Sequence, residues 1–147
     1  MKGIHLVIYG QPARKSNSRR IVRDRRTGRW MIIKSAEALH YEETFERQVP
    51  QWARQRLGSQ KHPLELQARV FMRHKWTSDL SLELVQDCLE KADVISDDRY
   101  IVRKVSEKKW DRREPRVELW IRELDEWEWG EGGCHCRMAV ESEKEEE

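Results

Sequence analysis

Residues 3–9 (GIHLVIY) form a mostly apolar run closed by Gly10-Gln11-Pro12, the pattern of a strand and its break. Residues 13–20 are polar and irregular. Ile21-Val22-Arg23, a turn from Asp24 to Gly28, and Arg29-Trp30-Met31-Ile32-Ile33 predict a β-hairpin. Ser35 is a fitting N-cap for a helix running through Ala36, Leu39, Phe45 and Val49. Pro50 kinks or divides it, and Gly58-Ser59 ends the helical stretch. Residues 64–72 (LELQARVFM) alternate as a half-buried strand does. Ser78 then caps a second helix from Asp79 to about Ala92, whose stripe is Leu80, Leu84, Val85, Cys88, Leu89 and Ala92. Residues 99–109 and 115–122 read as two long antiparallel strands joined by a turn at DRREP, with Val117, Leu119 and Ile121 on one face. This order predicts an α+β domain built on a mixed sheet, with the helices covering one face. The domain is expected over residues 1–122, followed by an acidic, disordered tail over 123–147. There are no internal repeats.

At 147 residues the chain suits one domain, and with 37% hydrophobic and 38% charged residues it joins a modest core to a densely ionic surface. No window approaches the roughly 18 apolar residues that span a bilayer. The apolar run near the N-terminus lacks a small-residue cleavage site, so a soluble, cytoplasmic protein is expected. Three cysteines, an odd number, do not suit a disulfide framework. The net charge of +2 hides an asymmetry: residues 123–147 carry ten acidic and two basic groups, and residues 1–122 carry 27 basic and 17 acidic. A basic body suggests a polyanionic partner, since neutralising phosphates releases counterions. A solvated, charge-rich surface without a partner is the alternative.

Candidate chemistry is densest in residues 78–98. Asp79, Glu83 and Asp87 recur every four residues beside the apolar stripe, where a carboxylate can face a cleft. Asp79 and Glu83 lie one turn apart, near enough to share an ion, whereas Asp87 is roughly 12 Å from Asp79 along the axis. Asp97 and Asp98 follow the helix, where the chain can fold back. Carboxylates converging from a helix and a loop make a hard-oxygen site suited to Mg²⁺, the chemistry that phosphodiester cleavage uses. The plainer reading is that carboxylates near a helix N-terminus favour the macrodipole and stay solvated.

These segments, Ser78-Asp79-Leu80-Ser81, Asp87-Cys88-Leu89 and Asp97-Asp98-Arg99, together with Lys15-Ser16-Asn17-Ser18 and Ile33-Lys34-Ser35, resemble the RusA family of Holliday-junction resolvases over roughly residues 3–122. The resemblance implies a Mg²⁺-dependent endonuclease for branched DNA, acting as a homodimer with one active site per strand. It implies that Asp79 and Asp98 are catalytic metal ligands. The family's second Asp in its Asp-Leu-Asp segment is Ser81 here, and Glu83 is the carboxylate expected to take its place. Asp87 and Asp97 are expected to support the site. A branched-DNA binder with a degenerate metal site is the alternative that Ser81 favours.

Residues 14–34 carry nine basic groups against Asp24, so this hairpin suits phosphate contact, with Trp30 available to stack on a base. Lys15, Asn17, Ser18, Arg19, Arg20 and Lys34 are the candidate DNA-contacting residues here, and Arg99 joins them beside the acidic pair. Of the seven tryptophans, Trp76, Trp110 and Trp120 are expected in the core or a dimer seam, while Trp127 and Trp129 fall in the acidic segment. Cys134-His135-Cys136 lacks the second ligand cluster of a structural zinc site, and free cysteines are expected there.

Overall fold

The computed structural model describes residues 2–14, 17–76 and 81–130. Strand β1 (Gly3–Tyr9) buries Ile4, Leu6 and Ile8 and turns its other side chains outward. Its partner is the last strand, β6 (Arg116–Glu123), which buries Val117, Leu119 and Ile121. Strand β4 (Leu64–Met72) pairs antiparallel with the far side of β6. Three apolar rows therefore cross the sheet: Ile4–Ile121–Leu66, Leu6–Leu119–Ala68 and Ile8–Val117–Val70. Each large side chain in these rows contributes about 1.5–3 kcal/mol by burial.

Strand β5 (Ile101–Trp110) adds to β4 in parallel and completes a mixed sheet of order β1-β6-β4-β5. The apolar rows stop there, because Lys104, Ser106 and Lys108 stand opposite Leu66, Ala68 and Val70. Lysines on an exposed edge discourage further strand addition. The expected hairpin between the last two strands does not form. They run antiparallel, but β4 lies between them, and the turn after β5 passes the end of β4, where the Asp111 N–H donates to the Met72 carbonyl. Strand β6 is apolar on alternate positions and takes the centre; β5 lacks that pattern and takes the edge.

Helix α1 (Ala36–Gln48) packs Ala38, Tyr41 and Phe45 into the core. Ser35 caps it, accepting from the Ala38 N–H at 3.1 Å and donating to the Asn17 carbonyl at 2.6 Å. Gln48 brackets the backbone of Tyr9, accepting from its N–H at 2.8 Å and donating to its carbonyl at 2.9 Å, which ties α1 to the end of β1. Only a single 3-10 turn, Gln51–Ala53, follows Pro50, so the helical stretch ends before Gly58. Beyond it, Leu57 forms a parallel bridge with Ile95.

Helix α2 (Glu83–Lys91) buries Leu84, Val85, Cys88 and Leu89. It starts later than the apolar stripe suggests, because Leu82 is already buried in non-helical backbone at the cap position. Ser78, Asp79 and Leu80 lie outside the described residues. Both helices share one core cluster with the three apolar rows, so they cover one face of the sheet. Strands β2 (Arg19–Arg23) and β3 (Trp30–Lys34) form a separate two-stranded sheet. The packed body continues past residue 122: Leu124 is buried, and its N–H donates to the Pro63 carbonyl. Among the described residues no helix is long and apolar enough to cross a membrane.

Candidate functional site

The buried face of α2 leaves it two polar flanks. At 100° per residue, Asp87 and Lys91 fall on one side of the core direction, Gln86 falls on the other, and Glu90 lies nearly opposite the core. The first flank faces α1 and the foot of the hairpin. Lys34 Nζ donates to Glu42 and lies 3.5 Å from an Asp87 oxygen, while Lys91 Nζ reaches Glu42 at 2.8 Å. Burial pulls the Lys34 ammonium down in pKa, but the bond to Glu42 and the further attraction of Glu42 and Asp87 together outweigh it, and the net shift is upward. Burial pushes the Glu42 carboxyl up, and its two lysines more than reverse this. Asp87 thus orients a structural ion-pair network. Lys34, expected at DNA, has its ammonium engaged within the protein.

Glu90 meets the loop after α2. Glu90, Asp97 and Asp98 each place a carboxylate oxygen within 4.8 Å of the others, all three partly exposed. A chain of local bonds holds that loop. Arg56 N–H donates to the Asp93 carbonyl, Ser96 N–H to Leu57, and Ser96 Oγ to Gly58 at 2.8 Å. Gly58 sits at φ +102°, and a Cβ there would come within 2.9 Å of Leu64 and 3.3 Å of Tyr100. Glycine is required for that close approach. Asp97 caps the 3-10 turn Asp98–Tyr100, accepting from the Arg99 N–H at 3.0 Å and pairing with Arg99 Nε at 3.3 Å.

Three like charges at such spacing repel by about 1 kcal/mol per pair even in water, so the cluster favours a bound cation. Carboxylate oxygens, partly exposed and free to keep waters on the ion, fit a hard divalent ion of the Mg²⁺ kind. Among the described residues Glu83 does not belong to this group: it stands two turns from Glu90, about 10 Å along the axis. Its N–H instead bonds Ser81 Oγ at 3.4 Å, so Ser81 serves the start of α2. Glu90 was not singled out in the sequence. Its spacing of three from Asp87 and seven from Glu83 was visible, but choosing it required knowing where the next loop returns.

The expected DNA-contacting residues divide. Arg19 and Arg20 are exposed on β2, and Arg99 is exposed while paired to Asp97. Asn17 and Ser18 lend backbone carbonyls to Ser35, which fixes the entry to the hairpin. Lys15 and Asp79 lie outside the described residues, as do Cys134, His135 and Cys136. In the hairpin turn, Asp24 accepts from the Arg26 N–H and Thr27 Oγ1, and the first of these bonds chiefly lowers its carboxyl pKa. Arg25, Arg26 and Arg29 stay at the surface around it. On one hairpin face Ile21 and Ile32 form a cross-strand pair, each 68% exposed, beside Trp30 at 72%. Apolar surface left in water among arginines suits a partner with phosphates outside and bases within.

The three tryptophans expected in the core or a dimer seam lie outside the core cluster. Trp76 and Trp110 are exposed, and Trp120 lies on the open face of the sheet, stacked on His5 at 4.6 Å with Arg69 above it. Compared with known proteins, the chain matches no family model and no curated protein.

Proposed function

We propose that the protein is a metal-dependent endonuclease for branched DNA, with four-way junctions as its substrate and Mg²⁺ as its ion. The observation that carries this reading is the convergence of Asp97 and Asp98 with Glu90 in one partly exposed carboxylate cluster. The RusA resemblance, which implied Asp98 as a ligand, and the arginine-rich hairpin support it. Glu90, Asp97 and Asp98 would hold the ion, with Asp79 as the further ligand that the resemblance implies. A bound Mg²⁺ supplies charge neutralisation at the scissile phosphate and a more acidic water. Arg99, tethered to Asp97, presents a guanidinium beside the carboxylates and offsets phosphate charge there. The hairpin foot at Lys34 meets Asp87, which lies one turn from Glu90 on α2, so one strand can engage both. Two copies acting on a two-fold junction are the corresponding assembly.

The test is cleavage of a labelled four-way junction and a matched linear duplex, with Mg²⁺ or EDTA, by wild type, Asp98→Asn and Glu90→Gln. Paired, Mg²⁺-dependent cuts in the junction are expected. Each variant should lose on the order of a hundred-fold or more in rate while still binding. Cutting that persists undiminished in Asp98→Asn would overturn the assignment. The commitment of Ser81 to the start of α2 favours a second reading, a branched-DNA binder without catalysis. Tight junction binding with no cutting under any divalent metal would select it.

A further inference from the structure

Beside the acidic cluster lies a cavity of about 440 Å³ whose aromatic lining the proposed chemistry does not use. Trp127 and Trp129 meet edge to face, with ring centroids 6.1 Å apart, and make a corner of two perpendicular planes. Tyr100 and Pro63 supply further apolar wall, and Lys61 and Arg99 bring two cations. Arg99 also stacks over Tyr100 at 5.1 Å and pairs with Asp97, so one side chain belongs to both the cavity and the acidic cluster. Arg103 lies over the Trp127 ring at 5.4 Å and helps fix it in place. The indole N–H of Trp127 is buried and has no acceptor among the described residues. A buried donor without an acceptor is unfavourable, and a ligand able to accept from it relieves that cost.

The required ligand chemistry is narrow. It has a flat π-face for the tryptophan corner, hydrogen-bond acceptors on its edge, and a negative charge within reach of Lys61 and Arg99. A nucleobase with its phosphate meets all three conditions, and the cavity lies in the size range of small-molecule sites. We propose that this cavity receives a base from a DNA strand, unstacked with its phosphate within reach of Lys61 and Arg99. The proposal rests on the nuclease reading for its strand, but the cavity's preference for a base is separable from cutting. A base drawn from the stack is most available at a branch point, where pairing is already interrupted.

The experiment uses the full chain in EDTA, so no cleavage enters it. Fluorescence anisotropy compares a labelled deoxytetranucleotide with a strand of four abasic sugar phosphates, which has the same charge and no bases. Wild type should prefer the base-bearing strand by roughly five- to a hundred-fold, the range of base–aromatic stacking. Trp127→Ala should remove most of that preference, Trp127→Phe should keep part of it, and Trp30→Ala in the hairpin should leave it. Equal binding of both strands by wild type, or a preference that survives Trp127→Ala, overturns the proposal. If Trp127→Ala does not fold, a strand carrying bromodeoxyuridine should photocrosslink wild type at Trp127, Trp129 or Tyr100, and crosslinks confined elsewhere overturn it. Deoxyadenosine monophosphate should compete only far above the concentration at which the tetranucleotide does; competition at equal concentration would overturn the strand as the source. Failure to bind either strand defeats the nucleic-acid reading as well. A base preference without junction cutting defeats only the nuclease reading.

Discussion

Glu65 is the one buried charged residue among those described, 3% exposed on the open face of the sheet. Arg122 Nε and Arg103 Nη1 each donate to it at 2.7 Å, and Gln67 adds a third bond at 3.1 Å. The bond from Arg122 brings the carboxyl down to about 2, against the upward pull of burial, with Arg103 assisting. The folded-state value is depressed, so the stabilisation is fully present above the unfolded value near 4.5. It is lost as pH falls from there through about 2. Urea midpoints measured between pH 6 and pH 2 should therefore fall more steeply for wild type than for Glu65→Gln. Parallel curves would show that the carboxylate carries no such linkage. At neutral pH, Glu65→Ala is expected to cost on the order of 2 kcal/mol, since both guanidinium partners are about half exposed and screened. Glu65 was not a candidate in the sequence, because its burial depends on β5 and β6 flanking β4, a non-local arrangement.

At the scale of elements, the hairpin and α2 divide the work. The β2–β3 ribbon stands outside the main sheet and exposes arginines together with Ile21, Ile32 and Trp30. Each arginine that contacts a phosphate should contribute about 0.9 to the slope of log affinity against log salt on duplex arms. Arg19→Ala with Arg20→Ala is expected to flatten that slope by up to about 2, read by filter binding from 50 to 200 mM salt. An unchanged slope would remove the hairpin from the interface. The hairpin and the Ser35 cap were legible because turn and capping chemistry act within a few residues. For α2, the stripe was legible but its start was not. Leu82 continues the apolar run outside the helix, and periodicity alone does not distinguish the two.

At the scale of the molecule, the charge split takes a different boundary from the one composition suggests. Leu124 and Trp127 pack on the body, and residues 131–147 carry six acidic and two basic groups. Truncation after Arg122 would strip packed residues. If the acidic stretch competes with DNA for the basic surface, the chain ending at Gly130 should bind a junction several-fold more tightly at low salt, the gap closing as salt rises. Equal affinities at low salt would sink that competition.

The sequence by itself determined the α+β class, the first strand, the hairpin, the Ser35 cap, the β4 span, and Asp98 as a candidate ligand with Asp97 in support. Each depends on residues a few positions apart, where periodicity, capping and turn chemistry act directly. Tertiary structure alone decided that β6 enters between β1 and β4, that Glu90 joins the aspartates, and that Lys34 is tied to Glu42 and Asp87. It also decided that Trp127 lines a cavity beside them. These contacts join residues distant in sequence, and strand order, which local hydrophobic pattern does not encode, sets which of them meet.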